Sequence, residues 1–172
     1  DYPLGKSRFG WTVAMSGDGN TLVAGRQRAD TTAVVYARVD GSWVMQMAVP
    51  AMREADGTAY ALSGDGNTLV VGRSGEWNGV TTGAVDVYTR VNDSWRTSAV
   101  PLTASNTRPG DLFGASVAIA GDGATIAVGA KHDNTTQTQS GAVYVFVLKG
   151  EAWEQQAYLQ ASNAGKDDRF GG

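Results

Sequence analysis

A 172-residue chain with a formal net charge of −3 and a pI near 5.0 has no cationic footprint for a polyanion, which sets nucleic acid aside as a partner. The 42% hydrophobic share, 23 Gly and 18% charged residues suit a soluble β protein. No apolar run approaches the roughly 18 residues of a membrane-spanning helix, so no membrane insertion is expected. Cysteine is absent, which excludes disulfides and thiolate metal sites, and Asp1-Tyr2-Pro3 does not open a signal peptide, so a secreted form would carry its signal outside these residues.

The stretch Phe9 to Gly25 sets the phase of the chain. Trp11, Val13 and Met15 alternate with Thr12, Ala14 and Ser16, the period of a half-buried strand. Gly17-Asp18-Gly19-Asn20 then supplies residues that tolerate positive φ, and the second strand, Thr21–Gly25, follows at once, as in a hairpin. A polar loop, Arg26–Thr32, leads to a third strand, Ala33–Val39. The turn Asp40-Gly41-Ser42 launches a fourth, Trp43–Val49, closed by Pro50.

The same order returns twice, with the turn Asp at Asp18, Asp65 and Asp122, a unit of roughly 50 residues. The second unit reads as strands Thr58–Leu62, Thr68–Gly72, Gly83–Arg90 and Trp95–Leu102. The third reads as Ala115–Ala120, Thr125–Gly129, Gly141–Leu148 and Trp153–Leu159. After that, Arg169-Phe170-Gly171 spells the lead-in to a further repeat, as Arg8-Phe9-Gly10 does for the first. The repeats divide the chain at 1–56, 57–112 and 113–172. A unit of this size cannot bury its own apolar face, so the stack of units is the folding entity, with a core expected at Val13, Val23, Val35, Val70, Val87, Val117, Val128, Val143 and Val145.

Phe-Gly at the entrance (Phe9-Gly10, Phe113-Gly114), the Gly-Asp-Gly hairpin, Val128-Gly129-Ala130, Gly141–Phe146 and a Trp opening the last strand together resemble FG-GAP repeats, the blades of the integrin-type β-propeller. The resemblance covers nearly the whole chain. It implies an all-β fold of about three four-stranded antiparallel blades, part of a larger ring, array or assembly, with ligand binding and adhesion at surface loops. One departure is clear: the Gly-Ala-Pro of the repeat has become Gly25-Arg26-Gln27 and Gly72-Arg73-Ser74, and Gly129-Ala130 keeps two of the three residues.

The residues offer little for catalysis or metal binding. Calcium collects six to eight oxygens, whereas each hairpin holds one carboxylate flanked by Ser16, Ser63 or Ala120 and by Thr21, Thr68 or Thr125, so no metal site and no cofactor are expected. The single histidine, His132, has no spacing to a nucleophile and orienting acid, and reads as a loop residue, so no catalytic residue is assigned. The glycine-rich turns precede strands rather than helices and cannot form a phosphate loop. Trp43, Trp95 and Trp153 recur at one place, as packing residues do. Trp77 does not recur, and is the candidate for contact with a ligand or neighbour as against a ring folded over its own blade. Asn92-Asp93-Ser94 and Asn134-Thr135-Thr136 are acceptors for N-linked sugar if the chain is exported by a eukaryotic cell.

The expected function is a non-enzymatic extracellular or cell-surface module, structural or adhesive, partnered by neighbouring repeats or by itself through its end blades. A protein or glycan ligand of a receptor head is the second reading, and a targeting domain attached to an enzyme is the third. A chain of three blades leaves an apolar face at each end, and a head-to-tail contact would let one copy supply what the next lacks.

Overall fold

The computed structural model describes residues 8–27, 31–50, 58–75 and 82–172. Every helix or strand among them is a strand. The first four are β1 (Arg8–Met15), β2 (Thr21–Gln27), β3 (Thr31–Val39) and β4 (Ser42–Pro50). The next four are β5 (Thr58–Leu62), β6 (Thr68–Arg73), β7 (Ala84–Val91) and β8 (Ser94–Thr97). The last are β9 (Phe113–Ile119), β10 (Thr125–Ala130), β11 (Ala142–Lys149) and β12 (Ala152–Leu159). They form three four-stranded antiparallel sheets, each taken in chain order, β1-β2-β3-β4, β5-β6-β7-β8 and β9-β10-β11-β12.

Turn chemistry explains the meander. Gly19, Gly66 and Gly123 have φ of +70°, +66° and +73°, a region open to glycine, and Asp40-Gly41 and Asn92-Asp93 take positive φ at both residues of the β3–β4 and β7–β8 turns. The Phe-Gly entrance needs its glycine for a different reason. Gly10 and Gly114 sit at φ +77° and +86° beside register shifts in the β1–β2 and β9–β10 pairings, so the strand kinks as it enters the sheet.

Successive sheets pack face to face. Val23, Ala33, Val35 and Val49 of the first meet Tyr60, Leu62, Leu69, Val71 and Tyr88 of the second. Val70, Val85 and Val87 of the second meet Phe113, Ile126, Val128, Tyr144 and Phe146 of the third. The period of two divides β6 between these cores, Leu69 and Val71 looking back and Val70 forward, so that strand is buried on both faces. Each sheet also offers a slot with no side chain. A Cβ at Gly25 would lie 2.7 Å from the ring of Tyr60, and one at Gly72 would strike the carbonyl of Gly114 and crowd Val117 at 2.9 Å.

Three expectations need correction. Val13, placed in the core, is 63% exposed, and Val143 and Val145 are half-buried, whereas Val117, also half-buried, packs against the core between the second and third sheets. Val13 lies on the first sheet's outward face, and Val143 and Val145 lie on the third's, where no further sheet among the described residues covers them. The outer strand of the second sheet, expected to reach Leu102, ends at Thr97. There Ser98 donates to the carbonyl of Val87 and Leu102 rejoins Val85, so four residues span what Met47 to Val49 cover in two in the first sheet. Arg73, noted only as a departure from the repeat, forms a buried ion pair with Asp86 across β6 and β7. Burial lowers the Arg73 pKa to about 10. Register places Ala130 and Tyr144 at these two positions in the third sheet, and the first sheet, which also carries an arginine after its Gly25, has Val34 in the place of Asp86, so the acid is particular to the second sheet.

Candidate functional site at the loop end of the third sheet

The Gly-Asp-Gly tips gather at one end of the sheets, and their carboxylates are engaged by the turns themselves. Asp18 accepts the Ser16 hydroxyl (2.5 Å) and the Asn20 N–H (2.9 Å) on Oδ1 and the Asn20 amide (3.3 Å) on Oδ2. Asp65 repeats this with Ser63 and Asn67. The serine hydroxyls are the main reason both carboxyls titrate below the usual 3.8. Asp122, with Ala120 in the serine place, keeps the Ala124 N–H at 2.9 Å. Among the described residues no three His, Cys, Asp or Glu side chains are grouped to hold a metal ion. The tips also touch one another: Asp18 N–H donates to Gly64 O and Gly64 N–H to Gly121 O, both at 2.9 Å.

At the opposite end the β10–β11 loop is built on Asp133, which is fully buried. Its carboxylate accepts Tyr144 OH (3.1 Å), Tyr158 OH (3.0 Å) and Thr135 N–H (2.8 Å), and its carbonyl accepts Gly141 N–H. Burial, followed by the Asp133 charge, pushes the Tyr144 phenol far above its ordinary value, so it stays a donor. The lead-in runs along the same loop, with Asp167, Arg169 and Phe170 N–H donating to Thr138, Gln139 and Ser140 carbonyls.

A second carboxylate, Asp111, lies nearby and is 1% exposed. Its Oδ2 closes a turn by accepting Arg108 N–H at 2.7 Å, while its Oδ1 is buried without a hydrogen-bond partner. Asp168 makes the same closure with Gly165 N–H at 2.6 Å. Burial, with Asp133 adding to it, raises the Asp111 pKa. A carboxyl raised by folding binds its proton more readily in the native state, so its contribution falls as pH rises through the window above 3.8. Asp18 and Asp65, lowered, act with the opposite sign below 3.8. Asp111→Asn keeps the turn acceptor and removes the buried charge. The variant is expected to melt higher than wild type at pH 7, with the advantage shrinking toward pH 4. A lower melting temperature at pH 7 would show that the charge is needed.

His132 donates its backbone N–H to Asp111 O, and burial, with Lys131 and Arg169 nearby, lowers its pKa. No nucleophile stands against its ring among the hydrogen bonds described. Asn92 is exposed at the tip end. Asn134 is exposed at the loop end, where its Oδ1 accepts Gln139 N–H (2.7 Å), so the two sequons are not brought together. Trp77 lies outside the described residues. Trp95 and Trp153 pack against the two cores, as their recurrence implied, and Trp43, on the outward face, is 39% exposed with Arg38 over its ring at 5.1 Å. The excursion at Ser98–Pro101 opens a groove of about 540 Å³ against the β11–β12 hairpin, lined by Val100, Leu102, Phe146, Trp153 and Gln155. Asp111, Asp133 and the groove were not singled out from sequence. The one available signal was Asp111 and Asp168, each two residues before a Phe-Gly.

Three consecutive four-stranded antiparallel meanders packed face to face, the first and third entered through a left-handed glycine, define a propeller-type blade repeat. Residues 96–146, from the outer strand of the second sheet to the third strand of the third, match the family described as FG-GAP repeat, and this stretch is such a repeat. Repeats of this family are non-catalytic binding or structural modules, typical of extracellular and surface proteins. No curated protein matches the chain closely enough to count as a relative. No helix among the described residues is long and apolar enough to cross a membrane.

Proposed function

We propose that this chain is a non-enzymatic structural or adhesive module of the cell exterior that joins end to end into a longer array or fibre. The observation that supports this best is the outward face of the first blade, where Trp11, Val13, Met15 and Met45 are all more than half exposed. Apolar rows of that extent on a monomer mark an interface. Sugar at Asn92 and Asn134, both on exposed loops, belongs to the same reading. Sedimentation velocity of the 172-residue chain over rising concentration tests it. Self-association is expected, and a monomer at every concentration would overturn it. A second reading, a receptor head taking a protein or glycan ligand, is favoured by the groove beside Trp153, whose aromatic wall and polar rim suit such a ligand.

A further inference from the structure

The structure assigns Asp40 as a site of spontaneous covalent modification, in which its carboxyl condenses with the backbone nitrogen of Gly41 and the resulting cyclic imide reopens as isoaspartate. The inference goes beyond the functional reading above and does not rest on it.

The reaction has three requirements. The carboxyl must be able to turn onto the nitrogen that follows it, that nitrogen must not be held in a hydrogen bond, and the residue carrying it must not crowd the approach. Glycine, with no side chain, meets the last of these best. Four Asp-Gly pairs lie among the described residues, Asp18-Gly19, Asp40-Gly41, Asp65-Gly66 and Asp122-Gly123. They are equals as dipeptides, and the fold separates them.

At the three tips the reacting groups are tied. Gly19 and Gly66 donate their N–H to the carbonyls of Ser16 and Ser63 at 3.0 Å, and Gly123 donates to that of Ala120 at 2.9 Å. The Asp18 carboxylate is held by the Ser16 hydroxyl and by both the main-chain and side-chain N–H of Asn20, and Asp65 is held likewise by Ser63 and Asn67. Those bonds keep each carboxylate on the amide beyond the glycine rather than on the glycine itself. The neighbouring sheet confines the second tip further, since a Cβ at Gly66 would strike Thr21. Asp122 is held less firmly, with the Ala124 N–H on its carboxylate and no serine beside it.

Asp40 and Gly41 are placed differently. They are the two central residues of the β3–β4 hairpin, at φ +48° and +79°, and the ladder is closed by Val39 and Ser42 on either side of them. Such a turn sends its central N–H groups to solvent. Both residues are exposed, and a Cβ at Gly41 would meet open space. Among the described residues neither the Asp40 carboxylate nor the Gly41 N–H has a hydrogen-bond partner. The matching turns do not repeat this chemistry. Asn92-Asp93-Ser94 offers nitrogens that are each crowded by a side chain, and Lys149-Gly150 has no carboxyl to react.

Gly41 N attacks Asp40 Cγ, the amide gives up its proton, a carboxyl oxygen leaves as water, and a five-membered imide closes. Water then adds to one of the two imide carbonyls. Addition at Cγ breaks the new bond and restores aspartate. Addition at the Asp40 main-chain carbonyl breaks the original peptide bond instead, so the chain runs through Cβ and Cγ and the α-carboxylate is left free. One water is lost and one regained, and no electrons change hands. The product has one more backbone atom in a two-residue turn, which lengthens the connection beside the paired Arg38 and Trp43.

The test is to hold the full chain at neutral pH and physiological temperature and to map isoaspartate by electron-transfer fragmentation, which assigns it to a residue. The same map resolves Asp56-Gly57 and Asn78-Gly79, outside the described residues, from Asp40. Asp40 is expected to convert about tenfold or more faster than Asp18 and Asp65, whose charge-assisted hydrogen bonds must break before attack, with Asp122 in between. In urea all four are expected to converge. Asp40→Glu, one methylene longer, is expected to remove the signal from its peptide. Asp40 converting no faster than Asp18 and Asp65 would overturn the assignment. So would rates that differ as much in urea as in the folded chain, because local sequence and not the fold would then set the order. A signal persisting in the Asp40→Glu peptide would place the reaction elsewhere and overturn it as well.

Discussion

Asp86→Ala is expected to lower stability by about 3–5 kcal/mol, because the Arg73 guanidinium remains buried when its carboxylate is gone. For a chain of this length that is a fall in melting temperature of roughly 10 °C, measurable by thermal or denaturant unfolding. The control is the double variant Arg73→Ala with Asp86→Val, which installs what Ala130 and Val34 supply at those positions in the third and first blades. It is expected to recover most of the loss, since a buried ion pair contributes little net stability over well-packed apolar residues of similar size. A double variant as unstable as Asp86→Ala would show that the pair has a role which apolar packing does not replace.

Phe113→Ala comes next in size. The ring is fully enclosed in the junction between two blades, and removing it leaves a cavity that costs about 3–5 kcal/mol. Phe9→Ala makes the same chemical change at the same place in the repeat, yet is expected to cost under about 1 kcal/mol, because that side chain is half exposed in the single chain. Equal losses at the two positions, in urea unfolding at low protein concentration, would contradict the assignment of the first blade's outward face as uncovered.

The contrast between those two phenylalanines also marks where the sequence stops being informative. Periodicity and turn chemistry located the strands and the Gly-Asp-Gly tips to within a few residues, because Asp18, Gly19 and their repeats act through backbone geometry that is local. Alternation assigns Val13 to a face, but it carries no information on whether that face has a neighbour, so Val13 read as core. The excursion at Ser98–Pro101 was missed for a related reason: Leu102 resumes the pattern, and two extra residues between matching positions are invisible without the partner strand. Arg73 and Asp86 each look like isolated oddities, and only the pairing of β6 with β7 brings them together. Asp133 gathers its partners from Thr135, Tyr144 and Tyr158, on a loop and two strands whose spacing follows no motif.

The burial of β6 on both faces gives the middle of the stack a different standing from its ends. Opening the first sheet uncovers Leu69 and Val71 and leaves Val70 in place; opening the third does the reverse. The central strand is released only when both neighbours have gone, so its amides exchange with solvent on the timescale of global unfolding while those of the outer sheets exchange through partial openings. Mechanical load applied along such a chain would therefore peel sheets from the ends inward, and the second sheet would be the last to yield.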